Sequence, residues 1–342
     1  MLMTRWLWAG RSLPARIARL PLIPPSLLVR GLAAARARAY RSCLMHHEAL
    51  PLPTVAVGNL TVGGSGKTPI ASWIARYYAS KGHTPGIVLR GYGGDEGTVH
   101  RNSVPGAVVI EDPDRLRGAK QAASRGADVL VLDDAYQRLD VDRDLNIAVV
   151  SAESGRAVPW TLPAGPWREG WKALGRADLV IVTRKRARFR VAARIAERAK
   201  HAANHRPIAI VRLGISQFKG MLSGVVLGTD EIDGANLVAG AGIADPHTFA
   251  VQCRAMGARV SLLAWGDHHQ FSDRDIRRLV HAGRKADYVV ITEKDAVKLR
   301  DCWPRHRPEP FVASLDLTWE RGGDTVRSCL DAVVAGVEEL VS

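Results

Sequence analysis

The sequence predicts an α/β fold in two domains with mostly parallel sheets, preceded by a basic amphipathic helical segment. Three observations lead there. Short apolar runs alternate with helical stretches over most of the 342 residues, the pattern of parallel strands joined by crossover helices. A glycine-rich turn, Thr61-Val62-Gly63-Gly64-Ser65-Gly66-Lys67-Thr68, lies between the apolar Val55–Val57 and a helical pattern beginning at Ile70. Residues 1–50 carry eight arginines against a single acid, Glu48, in a chain of net charge +14.

The N-terminal region, residues 1–50, divides into two stripes. Trp6, Leu13, Ile17 and Leu20 are flanked by Arg5, Arg11, Arg16 and Arg19; further on, Leu28, Leu32, Ala35 and Ala39 lie opposite Arg30, Arg38 and Arg41. Apolar stripe plus arginine face is the pattern of a helix lying in a membrane interface, and the same pattern suits helices packed on the domain. A spanning helix needs about 20 apolar residues, and no such segment is expected, because the longest uncharged run, Ala49–Gly66, contains Pro51, Pro53 and four glycines. Pro14, Pro21, Pro24 and Pro25 likewise argue against a cleaved signal peptide.

Residues 51–211 read as the first domain. Strands are expected at Val55–Val57, Gly86–Leu89, Val108–Ile110, Val129–Leu132, Ile147–Val150, Leu179–Val182 and Ile208–Val211, with a helix over Arg188–Ala203. Residues 212–235 turn glycine-rich and extended and read as an inter-domain hairpin linker. Residues 236–342 form a second, smaller α/β domain. Its strands are expected at Leu237–Ala241, Val260–Ala264, Tyr288–Thr292 and Phe311–Leu317, and its helices at Pro246–Met256, Asp273–Ala282 and from Thr325.

Composition sets the outer limits. A content of 46% hydrophobic and 24% charged residues is that of a folded chain. Cys43, Cys253, Cys302 and Cys329 are too scattered for a zinc or disulfide framework. The positive charge suits an anionic membrane face or anionic substrate better than nucleic acid, since no nucleic-acid-binding motif accompanies it.

The chemistry concentrates at a few strand ends. In the loop from Thr61 to Thr68 the glycines let backbone N–H groups close around phosphate oxygens, and the following helix adds its positive end. This is a P-loop, and the first domain is therefore P-loop NTPase-like. Lys67 would reach the β- and γ-phosphates of ATP and Thr68 would hold Mg²⁺. Thr61 stands where the usual pattern has its first glycine.

The apolar strand Val129–Leu132 ends in Asp133-Asp134. Acids at such a strand end, downstream of a P-loop, hold Mg²⁺ directly or through water; the same pair also serves as a turn or cap. Gln137 shares their rim. Asp95 and Glu96 follow Arg90-Gly91-Tyr92-Gly93-Gly94 and read either as a flexible turn or as a carboxylate for proton transfer. In Leu162–Glu169, Arg168 is placed to clamp a phosphate and Glu169 to join Thr68, Asp133, Asp134, Gln137 and Glu96 around magnesium. His268, within Gly266-Asp267-His268-His269, is a candidate to pair with a carboxylate, whereas the spacing does not suit zinc. Thr292–Lys298 is a charged cluster, either site-lining or helix-capping.

Together these segments resemble the tetraacyldisaccharide 4′-kinases, the lipid A pathway enzymes that phosphorylate a membrane-embedded glucosamine disaccharide. The match runs in family order through Val57–Pro69, Arg90–Gly93, Leu132–Asp134 with Tyr136-Gln137, Arg143–Leu145, Leu162–Glu169, Ala241–Ile243 with Pro246, Asp267–His269 and Thr292–Lys298. Serine or threonine at Thr61 is usual in that family. The resemblance implies a catalytic carboxylate in a Gly-Asp-Glu-Pro motif, assisted by the histidine of a Pro-Asp-His motif. Here Gly94-Asp95-Glu96-Gly97 follows Arg-Gly-Tyr at once, read as a deletion that leaves Asp95 as the base. Gly266, Gly170 and Ala135-Tyr136 are further departures.

The resemblance implies a kinase on the cytoplasmic face of a bacterial inner membrane, and a monomer is expected. It would phosphorylate the 4′-hydroxyl of a lipid A disaccharide 1-phosphate, with Lys67, Asp95 and His268 catalytic and the last two in different domains. The alternatives are a regulatory P-loop ATPase of the partitioning type, against which the absence of a lysine in 59–66 counts, and a soluble small-molecule kinase or ligase.

Overall fold

A computed structural model describes residues 6–8, 10, 12–91, 95–154 and 158–341, the side chains of 336–341 excepted. In chain order its first elements are α1 (Leu13–Arg19), α2 (Ile23–Arg41), β1 (Thr54–Asn59), α3 (Lys67–Ser80), β2 (Pro85–Leu89), α4 (Asp95–Ser103), β3 (Val108–Glu111) and α5 (Arg115–Ser124). There follow β4 (Val129–Asp133), β5 (Leu145–Ser151), β6 (Leu179–Arg184), α6 (Phe189–Ala202), β7 (Ile208–Gly220), β8 (Val226–Gly228) and β9 (Asn236–Ala241). The chain ends with α7 (Pro246–Arg254), β10 (Arg259–Ala264), α8 (Asp273–Gly283), β11 (Tyr288–Thr292), α9 (Glu293–Leu299), β12 (Phe311–Arg321) and α10 (Gly323–Val341).

The chain forms two compact units. The first comprises Met1–Gly91, Ser103–Arg212 and Trp319–Ser342; the second comprises Tyr92–Asn102 and Leu213–Thr318. The chain passes from first to second within β7 and returns within β12.

In the first unit the strands run in the order β3-β2-β4-β1-β5-β6-β7, and every pair is parallel. β1, β4 and β5 are buried along their whole length, as strands covered on both faces must be, and their Val/Ala/Leu composition follows from that. Ala192, Ala196 and Ala199 of α6 pack with Val180 and Val182, while Ala119 and Ala122 of α5 pack with Val88, Leu130 and Leu132. In the second unit β10-β9-β11-β12 are parallel neighbours, and β8 pairs antiparallel with β7.

Four expectations change. Asp95 and Glu96, read as a turn or a carboxylate for proton transfer, open helix α4, and Tyr92–Asn102 belongs to the second unit although it is inserted between two strands of the first. The 212–235 hairpin exists as β7–β8 but is part of the second unit from Leu213 onward. α10 belongs to the first unit, not to a domain 236–342: its Val326 and Leu330 are fully buried, and the Tyr78 hydroxyl donates to the Leu330 carbonyl (3.0 Å).

Lastly, Leu13–Arg41 is a 29-residue helical run, long and apolar enough by length and composition to cross a membrane. The prolines do not break it. Pro14, Pro21, Pro24 and Pro25 sit in first-turn positions of successive helical segments, where a missing N–H costs nothing. Leu13, Ile17, Leu20, Leu28 and Leu32 are exposed, together with Arg30 and Arg38; Ser26, Ala37 and Tyr40 make the buried contact. Ser26 and Thr161 lock it down, each hydroxyl donating to the other's carbonyl (2.9 and 2.7 Å).

Candidate active site

Parallel pairing of β1 with β4 sets Val57 opposite Asp133, so the loop after β1 and the acidic end of β4 lie side by side at the C-terminal edge of the sheet. That edge is where open α/β sheets bind ligands. Gly63 and Gly66 adopt φ values of 103° and 92°, and Gly66 is the N-cap of α3; left-handed backbone at both points is what glycine permits. Asn59 closes the loop, its amide donating to the Thr61 carbonyl and the Ser65 hydroxyl, both at 2.6 Å. The Thr183 hydroxyl at the end of β6 donates to the Ser65 carbonyl (2.7 Å), and Lys185 Nζ to the Gly64 carbonyl (3.0 Å). Val62 N–H donates to Pro166 O and Arg168 N–H to Leu60 O, which fastens residues 162–168 to the loop.

Lys67 Nζ lies 3.7 Å from Asp134 Oδ1. Arg168 Nη1 reaches the two oxygens of the same carboxylate at 3.1 and 3.3 Å and Gln137 Oε1 at 3.4 Å. Gln137 Nε2 donates in turn to the Asn59 carbonyl (2.7 Å). Lysine, arginine, aspartate, glutamine and asparagine thus form one network at the loop. Asp133 is buried, and one of its oxygens accepts from Asp134 N–H (2.8 Å); Thr68 is buried beside Lys67.

The expected magnesium set does not assemble as one group. Glu169 is held by Arg176 through two contacts of 2.8 and 2.9 Å. Glu96 is in the second unit, paired with Lys294 at 2.6 Å. Both ends of the Gln137 amide are already engaged. Among the described residues no three His, Cys, Asp or Glu side chains gather closely enough to hold a metal. Thr68, Asp133 and Asp134 remain at the loop. The glycine positions of the loop are open: a Cβ on Gly63 would meet nothing within 4 Å, and one on Gly64 only Lys185 Nζ at 3.5 Å.

The second unit holds the other half of the expected residues. Asp95, at the start of α4, is buried, and His268 Nδ1 lies 3.4 Å from its Oδ2. The pair expected to meet from different domains is therefore within one unit. His268 has φ 57°, an uncommon backbone for a non-glycine residue, and Nε2 is 4.0 Å from Asp267. His269 faces elsewhere, 3.1 Å from Asp275 Oδ2. Tyr92, Gly93 and Gly94 lie outside the described residues.

Lys298 and Lys294, four apart on α9, face Asp95 and Glu96 at 3.3 and 2.6 Å. Burial works to depress the Lys294 ammonium, but the Glu96 charge and hydrogen bond outweigh it and hold the group above the ordinary lysine range. Burial also pushes the fully buried Asp295 carboxyl up, despite hydrogen bonds from Thr292 Oγ1 (2.6 Å) and Gly242 N–H (3.1 Å). The sequence cluster 292–298 is thus both cap and site lining.

Sequence reasoning missed Asn59, Thr183 and Lys185 as loop-shaping groups and Lys298 as Asp95's partner. For the first three, position at the C-terminal ends of β1 and β6 was the available signal; for Lys298 it was the i,i+4 spacing from Lys294.

A family model described as tetraacyldisaccharide-1-P 4′-kinase matches residues 18–335. A tetraacyldisaccharide 4′-kinase of Pelobacter propionicus is 36% identical, covering 85% of this chain and 87% of that protein. One from Anaeromyxobacter sp. (strain Fw109-5) is 32% identical over 96% of this chain and 95% of its own length. Among solved structures, the "apo" form of LpxK from Aquifex aeolicus, in complex with ATP, superposes with a TM-score of 0.71 at 22% identity, covering 92% of this chain and 99% of that one. That likeness bears out the α/β fold.

Proposed function

Since the chain belongs to the tetraacyldisaccharide-1-P 4′-kinase family, we propose that it transfers the γ-phosphoryl group of ATP to the 4′-hydroxyl of a lipid A disaccharide 1-phosphate. It is a kinase, and family membership decides against the regulatory-ATPase and soluble-kinase alternatives. The observation that carries the site assignment is the network of Lys67, Asp134, Arg168, Gln137 and Asn59 around a loop whose glycine positions are open to a ligand.

In this reading the backbone N–H groups of residues 63–68 and the N-terminal end of α3 receive the phosphates. Lys67 exchanges its 3.7 Å contact with Asp134 for the β- and γ-phosphates, and Arg168 clamps the same group. Thr68, Asp133 and Asp134 would hold Mg²⁺, which neutralises charge developing on the phosphoryl oxygens. Asp95 accepts the proton of the attacking hydroxyl, and His268, 3.4 Å away, orients that carboxylate. The work asked of the protein is positioning and charge stabilisation.

The exposed leucines of α1 and α2 support attachment to a membrane that contains the substrate. Arg30, Arg36, Arg38 and Arg41 of α2 are exposed beside them, a charge that suits an anionic surface such as the cytoplasmic face of the inner membrane.

The test is transfer of labelled γ-phosphate from ATP to tetraacyldisaccharide 1-phosphate in detergent micelles. Label at the 4′-position is expected. ATP hydrolysis without a labelled lipid would refute the assignment.

A further inference from the structure

Asp95 is a buried charge for which the fold must compensate. Its side chain is 1% exposed, and among the described residues neither carboxylate oxygen has a hydrogen-bond partner. A buried carboxylate without hydrogen bonds is costly unless charge compensates it. The compensation comes from two groups on the same oxygen, Oδ2: His268 Nδ1 at 3.4 Å and Lys298 Nζ at 3.3 Å. The two differ in kind. His268 is 40% exposed and sits in a loop, whereas Lys298 is 7% exposed on the short helix α9.

The helix itself is held firmly. Thr292 caps it: its hydroxyl accepts from Asp295 N–H (3.3 Å) and donates to the Asp295 carboxylate (2.6 Å), which also takes Gly242 N–H. One turn before Lys298, Lys294 is fixed on Glu96. Lys298 is thus carried on a fixed turn of helix, with its side chain 7% exposed. Its Nζ makes no hydrogen bond among the described residues and lies at ion-pair distance from Asp95.

We propose that Lys298 is a positioning residue for Asp95: it pins Oδ2, fixes the plane of the carboxylate and leaves Oδ1 to take the proton of the acceptor hydroxyl. Other charged groups around this pair are Asp267, Lys294, Glu96 and Asp295; none of them touches an Asp95 oxygen among the described contacts. The proposal rests on the reading of Asp95 as the proton acceptor. A misaligned acceptor costs about 10²-fold in rate for a displacement of about 1 Å, while leaving nucleotide binding alone.

The experiment compares Lys298→Met, Lys298→Arg, Asp95→Asn and the double variant Asp95→Asn/Lys298→Met with the wild-type chain, measuring kcat, KM for ATP and thermal unfolding. Lys298→Met is expected to lose about 10²-fold in kcat with KM for ATP unchanged, and Lys298→Arg to recover most of that loss. The double variant should be no slower than Asp95→Asn, because Lys298 acts through Asp95. Removing one partner of a buried pair destabilises, so if Lys298→Met does not fold, the double variant, which removes both charges, and Lys298→Arg carry the test. A folded Lys298→Met with wild-type kcat, a Lys298→Arg as slow as Asp95→Asn, or a double variant much slower than Asp95→Asn would overturn the proposal. Wild-type rates in Asp95→Asn would instead overturn the proton-acceptor reading beneath it.

Discussion

Gly58, the penultimate residue of β1, has no room for a methyl group. A Cβ built there lies 2.5 Å from Tyr136 N, 2.6 Å from Tyr136 Cβ and 3.1 Å from Tyr136 Cα. These atoms belong to the backbone or its first side-chain carbon, so no flexible side chain can swing aside. Residues 135–137 are held from both ends: Ala135 N–H donates to Val57 O (2.9 Å), and the Tyr136 hydroxyl donates to the Ala173 carbonyl (2.6 Å). In Gly58→Ala the two segments must part by about 1 Å to reach ordinary contact, which for overpacking costs about 1–3 kcal/mol. For a folding unit of 150–250 residues each kcal/mol lowers Tm by about 2–4 °C, so a fall of roughly 2–12 °C is expected. The displacement also opens the 2.7 Å link from Gln137 Nε2 to Asn59 O, next to the residue that closes the phosphate loop. kcat/KM for ATP should drop by up to about 10²-fold. Gly170→Ala is the control, since a Cβ there meets nothing within 4 Å and its φ is −76°; it should stay within about 0.5 kcal/mol. Thermal unfolding and initial rates against ATP concentration read both effects. If Gly58→Ala matches Gly170→Ala in both, the close approach of β1 and residues 135–137 is not a constraint.

Lys67→Ala should cut transfer by at least about 10²-fold without lowering Tm; near-normal turnover would undo the nucleotide assignment. Thr183→Val removes the buried donor to Ser65 O at constant shape, and an unsatisfied carbonyl there should cost about 1–3 kcal/mol together with a raised KM for ATP; unchanged values of both would mean the bond does not shape the loop. Asp275 is opposed by burial, yet hydrogen bonds from Ser272, His269 and Trp265 hold its carboxyl well below the ordinary range. A depressed folded pKa contributes stability above the unfolded value of about 3.9 and loses it as pH falls through that range. The stability gap between wild type and Asp275→Asn, measured by urea unfolding from pH 7 to pH 3, should therefore be widest above about pH 5 and narrow below pH 4, and a pH-independent gap would contradict this account.

The centre of the first unit's sheet was legible because β1, β4 and β5 are buried along their whole length and β6 over all but its last residue, so each carries a short apolar run. Val129–Leu132 and Leu179–Val182 lie within β4 and β6. The N-terminal helix departs from expectation because proline breaks a helix only by its position in the turn, and that position is set by where each helix begins. Likewise the hydrophobic face of α10 could be read, but not which unit it would cover, because Val326 and Leu330 suit any apolar surface.

The two halves of the candidate site differed in legibility for a related reason. The phosphate loop is one contiguous stretch, and its geometry needs glycines where the sequence displays them, so residues 61–68 could be assigned without knowing any partner. The acids at 95 and 96 carry no such local mark. They follow a first-unit strand in sequence, so proximity along the chain suggested a first-domain group and a magnesium role for Glu96. Their partners are instead Lys298 and Lys294. Two lysines four apart form one face of a helix, which on a lone helix reads as a solvated surface. Adjacent acids in the first turn of another helix favour that helix's N-terminus and on their own read as a cap. Set against each other, the two patterns give each acid its own lysine: the deeper pair, Asp95–Lys298, is nearly excluded from solvent, and Glu96–Lys294 remains partly exposed. Each segment's sequence satisfied its own helix first, and the assignment of Asp95 to a buried site followed only from the second helix opposite it.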